Sequence, residues 1–389
     1  MTADLAVFRD HVRSWCAQHV PTDWRRHQTG VSDAEFVAFQ RHWFQQLRGA
    51  GFAVPHWPAP WGPDLSVDHQ VVLYQELAAH DAPRLVLQFV ALHHAAATLL
   101  AAGTDEQRRR HLPAILDGEI WVQGFSEPEA GSDLAALRTS ATRDGDGFVV
   151  NGQKLWASGG LYADWCLLLA RTDPQAAKHQ GISYFLMDMR SPGVQVRPIR
   201  NAVGEAHFCE IFLDNVLIPA ENLLGAENAG WQVAQQTLGT ERGMTMLELA
   251  ERLGNAGFGW LVEECRRAGA LDGADTRVLD RLAQFDIEIT ALRGLCRDLV
   301  SGTSTVPAAA SVVKLFYSEL LQRMTDFGTE VAGLSAHTVL TKPMSSGWES
   351  GAWMLDFIGS WEWTIPGGAS EIQRTVIAER GLGLPREPK

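Results

Sequence analysis

The hydrophobic period of this chain changes twice. Residues 1–120 carry apolar side chains at helical spacing. Residues 121–228 carry them in short continuous or alternating runs, and from 229 onward the helical spacing returns. A stripe at a period of 3.6 residues cannot be presented on one face of a strand, nor an alternating pattern on one face of a helix. The order therefore predicts an α+β multi-domain protein: an N-terminal α-helical domain (1–120), a middle β domain (121–228) and a C-terminal helical bundle (229–389). At 389 residues the chain is long enough for two or three such domains with a buried core.

Local signals agree with this division. Thr104 and Gln107 fit a capping box at the start of a helix whose Leu112, Ile115 and Leu116 recur at helical spacing. "FVALHHAAATLLAAG" has the same character, and its His93 and His94 read as core histidines in an apolar run. In the middle region Asn151-Gly152 reads as a hairpin turn. The runs "WCLLLART", "GISYFLMDM", "VQVRPI" and "CEIFLDNVLIP" read as strands of a small barrel or sandwich. Four long helical stretches after residue 229 predict an antiparallel four-helix bundle.

Composition narrows the function. A formal charge of −13 argues against a nucleic-acid partner. No apolar run approaches the length of a membrane span, and the N-terminal segment lacks the apolar core of a signal peptide. The five cysteines are far apart and form no CxxC pair, so they read as free thiols of a cytoplasmic protein rather than as a metal site or disulfide frame.

"GFSEPEAGSD" (124–133) opens the β region. Alone, it is either a polar turn or a loop offering hydroxyls and backbone N–H groups to a ligand with phosphates or carbonyls. In context it resembles the flavin loop of the acyl-CoA dehydrogenase family. The resemblance continues through "NGQKLWASGG", "GISYFLMDMRSPGVQVRPI", "LIPAENLLGAENAGW" and "SEIQRTVIAERGLGLPRE", and so spans most of the chain in order. It implies a helical, β, helical fold with bound FAD. It implies that Gln123, Phe125 and Ser126 line the flavin, and that Gly131 and Ser132 lie near its phosphates and the substrate's pantetheine arm. Trp156 and Ser158 would cover the flavin's outer face, while Ala369, Ser370 and Glu371 would meet its adenosine half.

The reaction implied is α,β-dehydrogenation of an acyl-CoA thioester, which needs a carboxylate to remove the α-proton. Many relatives carry that Glu near the C-terminus. A gapless match of "GASEIQR" puts Gly367 there instead, with Glu362 and Glu371 the nearest acids. Glu371 falls at a helix start where Ser370 and Gln373 suggest a capping box. A second family pattern places the base on a bundle helix as Glu-Arg, which gives Glu241 as base and Arg242 near the CoA. On a helix, Glu241 has Thr237, Leu238, Met244 and Thr245 as neighbours, a mostly apolar face suited to raising a carboxylate pKa. Gly239 and Gly243 lie on the opposite face, where they would let another helix approach.

The usual Arg-x-x-Phe-Gly and Gln-x-x-Gly-Gly segments are absent, and Glu129 replaces a common Gly. These departures resemble one subunit type of the actinobacterial steroid side-chain dehydrogenases. The expected partners are an electron-transfer flavoprotein and a homologous subunit in a homo- or hetero-oligomeric dimer or tetramer. The alternatives are a half-site or structural subunit, a flavin oxidase, or an acyl-carrier-protein-dependent dehydrogenase of secondary metabolism.

Overall fold

The computed structural model describes residues 3–241, 244–272 and 276–386. The chain forms two compact units, one of residues 85–241 and one joining residues 1–84 to residues 242–389.

In the second of these units, four helices come from the N-terminal part: α1 (Ala3–His19), α2 (Trp24–His27), α3 (Asp33–Gly49) and α4 (Val67–Ala79). Ser32 and Glu35 cap α3 reciprocally, which satisfies two of its otherwise orphaned N–H groups.

The unit of residues 85–241 begins with a π-helical turn, Val90–Ala95, which runs into α5 (Ala96–Ala102). Helix α6 (Asp105–Asp117) follows, opened by the Thr104–Gln107 capping box that the sequence predicts. The Gln107 amide also donates to the carbonyls of Glu221 (2.8 Å) and Leu223 (2.9 Å), tying the helix start to the segment after the last strand.

Seven strands come next: β1 (Trp121–Gly124), β2 (Ser140–Asp144), β3 (Gly147–Ser158), β4 (Trp165–Arg171), β5 (Ile182–Asp188), β6 (Val194–Ile199) and β7 (Phe208–Pro219). They form one sheet in the order β1-β4-β2-β3-β7-β6, with β5 also on β4. The sheet curls round a single core that includes Phe148, Val150, Leu168, Phe185 and Ile211, all fully buried. The four apolar runs read as strands are β4 to β7.

The Asn151-Gly152 reading is corrected. Strand β3 runs straight through it, with a shift in register against β7 between Val150 and Gly152. The hairpin turn is Gly145-Asp146, six residues earlier, with Gly145 in the left-handed region (φ 54°). "DGDG" is the stronger turn signal. Gly152 instead answers a close approach, since a Cβ there would lie 2.4 Å from Thr139 Oγ1. The unit closes with α7 (Gly230–Glu241), which packs on β5 and α5.

The helical unit then resumes. It contains α8 (Met244–Arg252), a π-helical turn, α9 (Phe258–Arg267), α10 (Thr276–Val300), α11 (Ala309–Ala332), α12 (Trp353–Ser360) and α13 (Ser370–Val376). Helix α1 packs on α4, α4 on α8, α8 on α10, and α11 on α10, α12 and α13. The five cysteines are free and buried. Among the described residues no helix is long and apolar enough to cross a membrane.

Candidate active site

Strand β1 and the loop after it carry five of the predicted residues. β1 lies parallel to β4, with Gln123 opposite Leu167. Gln123 is half-buried, and its Nε2 is sealed from solvent without a hydrogen-bond partner among the described residues. Phe125 is buried edge-on against Tyr184, ring centroids 5.7 Å apart. Glu127 and Ala130 exchange backbone hydrogen bonds of 3.1 Å, closing a turn over Pro128-Glu129. Gly131 and Ser132 then stand exposed.

A buried ion pair pins this loop at both ends. The Lys154 ammonium, on β3 and fully buried, donates to Glu127 Oε1 (2.8 Å) and to the Phe125 carbonyl (3.0 Å). The Glu127 carboxylate also accepts the N–H groups of Arg138 (2.6 Å) and Thr139 (2.9 Å). Leu155 N–H donates to the Ser126 carbonyl at 2.9 Å. Burial alone would raise the Glu127 pKa, but the Lys154 charge and the donated hydrogen bonds outweigh it and hold the carboxyl below its usual range. Burial lowers the Lys154 pKa, with Glu127 opposing. Sequence reasoning missed both residues. The available signal was a lysine flanked by strand residues that alternate inward, since a buried lysine requires a partner.

Two residues further along β3, Trp156 sits at a second bulge, between Lys154 and Ala157. Its φ is 63°, a left-handed conformation that is strained for an aromatic residue. The indole is 54% exposed and meets Phe208 edge-on at 5.9 Å. Ser158 is half-buried and pairs with Phe208 across the ladder.

Helix α7 ends at Glu241. The Glu241 side chain, Arg242 and Gly243 lie outside the described residues. One turn earlier, Thr237 is fully buried, and its Oγ1 meets Thr98 Oγ1 (2.7 Å) and the Tyr184 hydroxyl (3.2 Å). Tyr184 thus touches both the last turns of α7 and Phe125 of the loop. Among the described residues the expected close helix approach at Gly239 is not found: a Cβ there would meet nothing within 4 Å.

In the helical unit, Ala369 precedes α13, Ser370 is its first residue and Glu371 is exposed. The predicted Ser370–Gln373 capping box does not form. The capping position is Ala369, one residue too early for the serine, and Ser370 Oγ is buried without a partner. Gln373 Nε2 reaches back to the carbonyls of Gly367 (2.6 Å) and Gly368 (3.2 Å), and Lys314 Nζ donates to the latter at 2.8 Å. Gly367 and Gly368 both have positive φ, 64° and 97°, so the turn is shaped by its glycines as expected. Glu362 accepts from Trp348 Nε1 at 3.0 Å.

Three family models match the chain end to end: acyl-CoA dehydrogenase N-terminal domain (residues 2–119), middle domain (123–216) and C-terminal domain (228–382). The acyl-CoA dehydrogenase IpdE1 of Mycobacterium tuberculosis is 38% identical over 396 residues, covering 99% of both chains. FadE34 of the same organism is 40% identical over 87% of this chain and 46% of its own. Among solved structures, the Tcur3481-Tcur3483 steroid ACAD superposes with a TM-score of 0.84 and 29% identity over 100% of this chain and 99% of that one. The ChsE4-ChsE5 complex from Mycobacterium tuberculosis gives 0.80 and 30%, with 99% of each covered.

Fold and site together define a flavin-dependent oxidoreductase. The chain belongs to the acyl-CoA dehydrogenase family, and its cofactor is FAD. The residues present fit that cofactor. Gln123 Nε2 is a buried donor without a partner among the described residues, the clamped loop presents Gly131 and Ser132 outward, and an exposed indole stands on a strained bulge of β3.

Proposed function

We propose that the chain oxidises the α,β bond of an acyl-CoA thioester, with Glu241 as the base that removes the α-proton and an electron-transfer flavoprotein as electron acceptor. FAD, when bound, supplies the acceptor for the β-hydride. Gln123, Phe125, Ser126, Trp156 and Ser158 would hold its ring system, Gly131 and Ser132 its phosphates, and Ala369, Ser370 and Glu371 its adenosine half. Ser132 and Arg242 would meet the CoA. The carboxylate acts only if it is positioned against the α-carbon and water is kept from it. The supporting observation is the Thr237–Tyr184–Phe125 chain, which couples the helix ending in Glu241 to the loop that holds Phe125.

A second reading concerns assembly. Two similar structures carry paired names, the Tcur3481-Tcur3483 steroid ACAD and the ChsE4-ChsE5 complex. Together with the absent Arg-x-x-Phe-Gly segment, this favours a homologous partner subunit and a bulky, ring-bearing acyl group.

The test is Glu241→Gln. The variant is expected to keep its flavin and to lose about 10²–10⁴-fold of its anaerobic bleaching rate with a thioester that bleaches the parent enzyme. Bleaching at the parental rate would remove Glu241 from the mechanism. Expression alone and beside a neighbouring homologue separates the assemblies: a yellow, active single-chain preparation rules out the need for a partner.

A further inference from the structure

Two buried polar side chains in the unit of residues 85–241 meet no hydrogen-bonding group among the described residues. Gln88 is 0% exposed, and neither its amide oxygen nor its amide nitrogen has a partner. His94 is 2% exposed, and the same holds for both its ring nitrogens. Buried polar groups are almost always paired, so each exception asks for an explanation, such as a ligand or an ordered water.

Their location supplies one. His94 lies on the π-helical turn Val90–Ala95, and Gln88 lies two residues before it. Such turns are rare and concentrate at functional sites. This one packs against β1, the strand that bears Gln123, and against α7, the helix that ends in Glu241. Gln123 itself carries a further unpartnered buried nitrogen. Burial pushes the His94 pKa down to about 4, so the ring is neutral at physiological pH and offers one N–H donor and one acceptor. The Gln88 amide likewise offers both. Neither group suits a purely hydrocarbon neighbour, and both suit a carbonyl or hydroxyl.

We infer that Gln88 and His94 hydrogen-bond an oxygen on the acyl group, a ketone or hydroxyl remote from the thioester, and make this enzyme selective for oxygen-bearing acyl thioesters. This rests on the reading that places flavin and base at β1 and α7. A site built around unpaired polar groups rejects an analogue that lacks the matching oxygen, because those groups then stay unpaired.

The test is binding of three size-matched thioesters to flavin-loaded Glu241→Gln enzyme, followed through the flavin spectrum. They are 3-cyclohexylpropanoyl-CoA and its 4-oxo and 4-hydroxy ring derivatives. At least one oxygenated thioester is expected to bind tenfold or more tighter than the hydrocarbon, and the ketone and hydroxyl arms show which oxygen is preferred. Gln88→Met and His94→Leu should each cut that ratio at least threefold. His94→Asn, which keeps a donor and an acceptor, should restore part of it. If His94→Leu loses its flavin, the near-isosteric Gln88→Met decides the matter. Equal binding of all three thioesters, or a ratio that survives both substitutions as it would if water alone satisfied these groups, overturns the inference. Binding needs no proton removal, so an intact ratio without turnover in the parent enzyme would fault the dehydrogenation reading instead.

Discussion

Glu127 with Lys154, and Gln88 with His94, are two buried polar pairs in one compact unit, and the fold treats them in opposite ways. Both Glu127 oxygens accept hydrogen bonds, from a lysine and two backbone amides. Around Gln88 and His94 four polar atoms find no partner among the described residues. A satisfied buried pair specifies one arrangement of the chain around it. An unsatisfied one leaves binding capacity that a ligand can use. The first pair is therefore scaffold for the loop, and the second is surface facing substrate, although both are equally hidden from solvent.

The largest expected effect breaks the satisfied pair. Lys154→Met leaves Glu127 as a buried, uncompensated charge and should cost about 3–5 kcal/mol in urea unfolding. Lys154→Met with Glu127→Gln should cost less than the single change. The exposed Arg138–Glu129 pair, 3.1 Å apart, is the internal control, and Arg138→Ala should cost under about 1 kcal/mol. If both positions cost the same, the loop is not clamped by this pair.

The second effect is acid dependence from the unsatisfied pair. The His94 pKa falls from 6.5 to about 4 on folding, through burial. Between those values the unfolded chain binds a proton that the folded chain does not. Stability therefore falls as pH drops through that window, by up to about 3 kcal/mol from this residue. His94→Leu should flatten the slope between pH 6.5 and 4 in denaturation curves. His111, also held to about 4 by burial first and Arg110 second, keeps a residual slope of the same sign. A slope unchanged in His94→Leu would mean that position 94 is not sealed.

The smallest effect concerns Trp156. Its indole is more than half exposed, so Trp156→Ala should barely move the unfolding midpoint. A flat aromatic partner contributes about 0.5–1.5 kcal/mol, so flavin affinity should weaken roughly fivefold, as read from flavin fluorescence on dilution. A large loss of stability with unchanged flavin affinity would make Trp156 a packing residue.

Most of this molecule could be read from short-range pattern. Period alone located β4 to β7 and the long helices, and the Thr104–Gln107 cap was visible because both its bonds lie within one turn. The failures were of two kinds. Some were local competitions between similar signals: "DGDG" against Asn151-Gly152 for the turn, and Ala369 against Ser370 for the cap. The first was decided six residues away, the second by a single residue of register. The others were pairings at long range. Lys154 and Glu127 are 27 residues apart, and Thr98 and Thr237 are 139 apart. No local window contains such pairs. His94 fell between the two kinds. Its apolar surroundings rightly signalled burial, but a helical pattern does not reveal that the turn widens or that a ring is left unpaired.

The turn at Gly367-Gly368 also bears on whether an acid could be placed there. Where the resemblance puts a glutamate in many relatives, this chain has a glycine whose φ of 64° an L-residue with a long side chain adopts only under strain. At the next glycine a Cβ would lie 2.4 Å from the Gln373 amide nitrogen and would displace the hydrogen bonds by which that amide holds the turn. A glutamate introduced at 367 would thus have to reshape the turn before it could present its carboxylate.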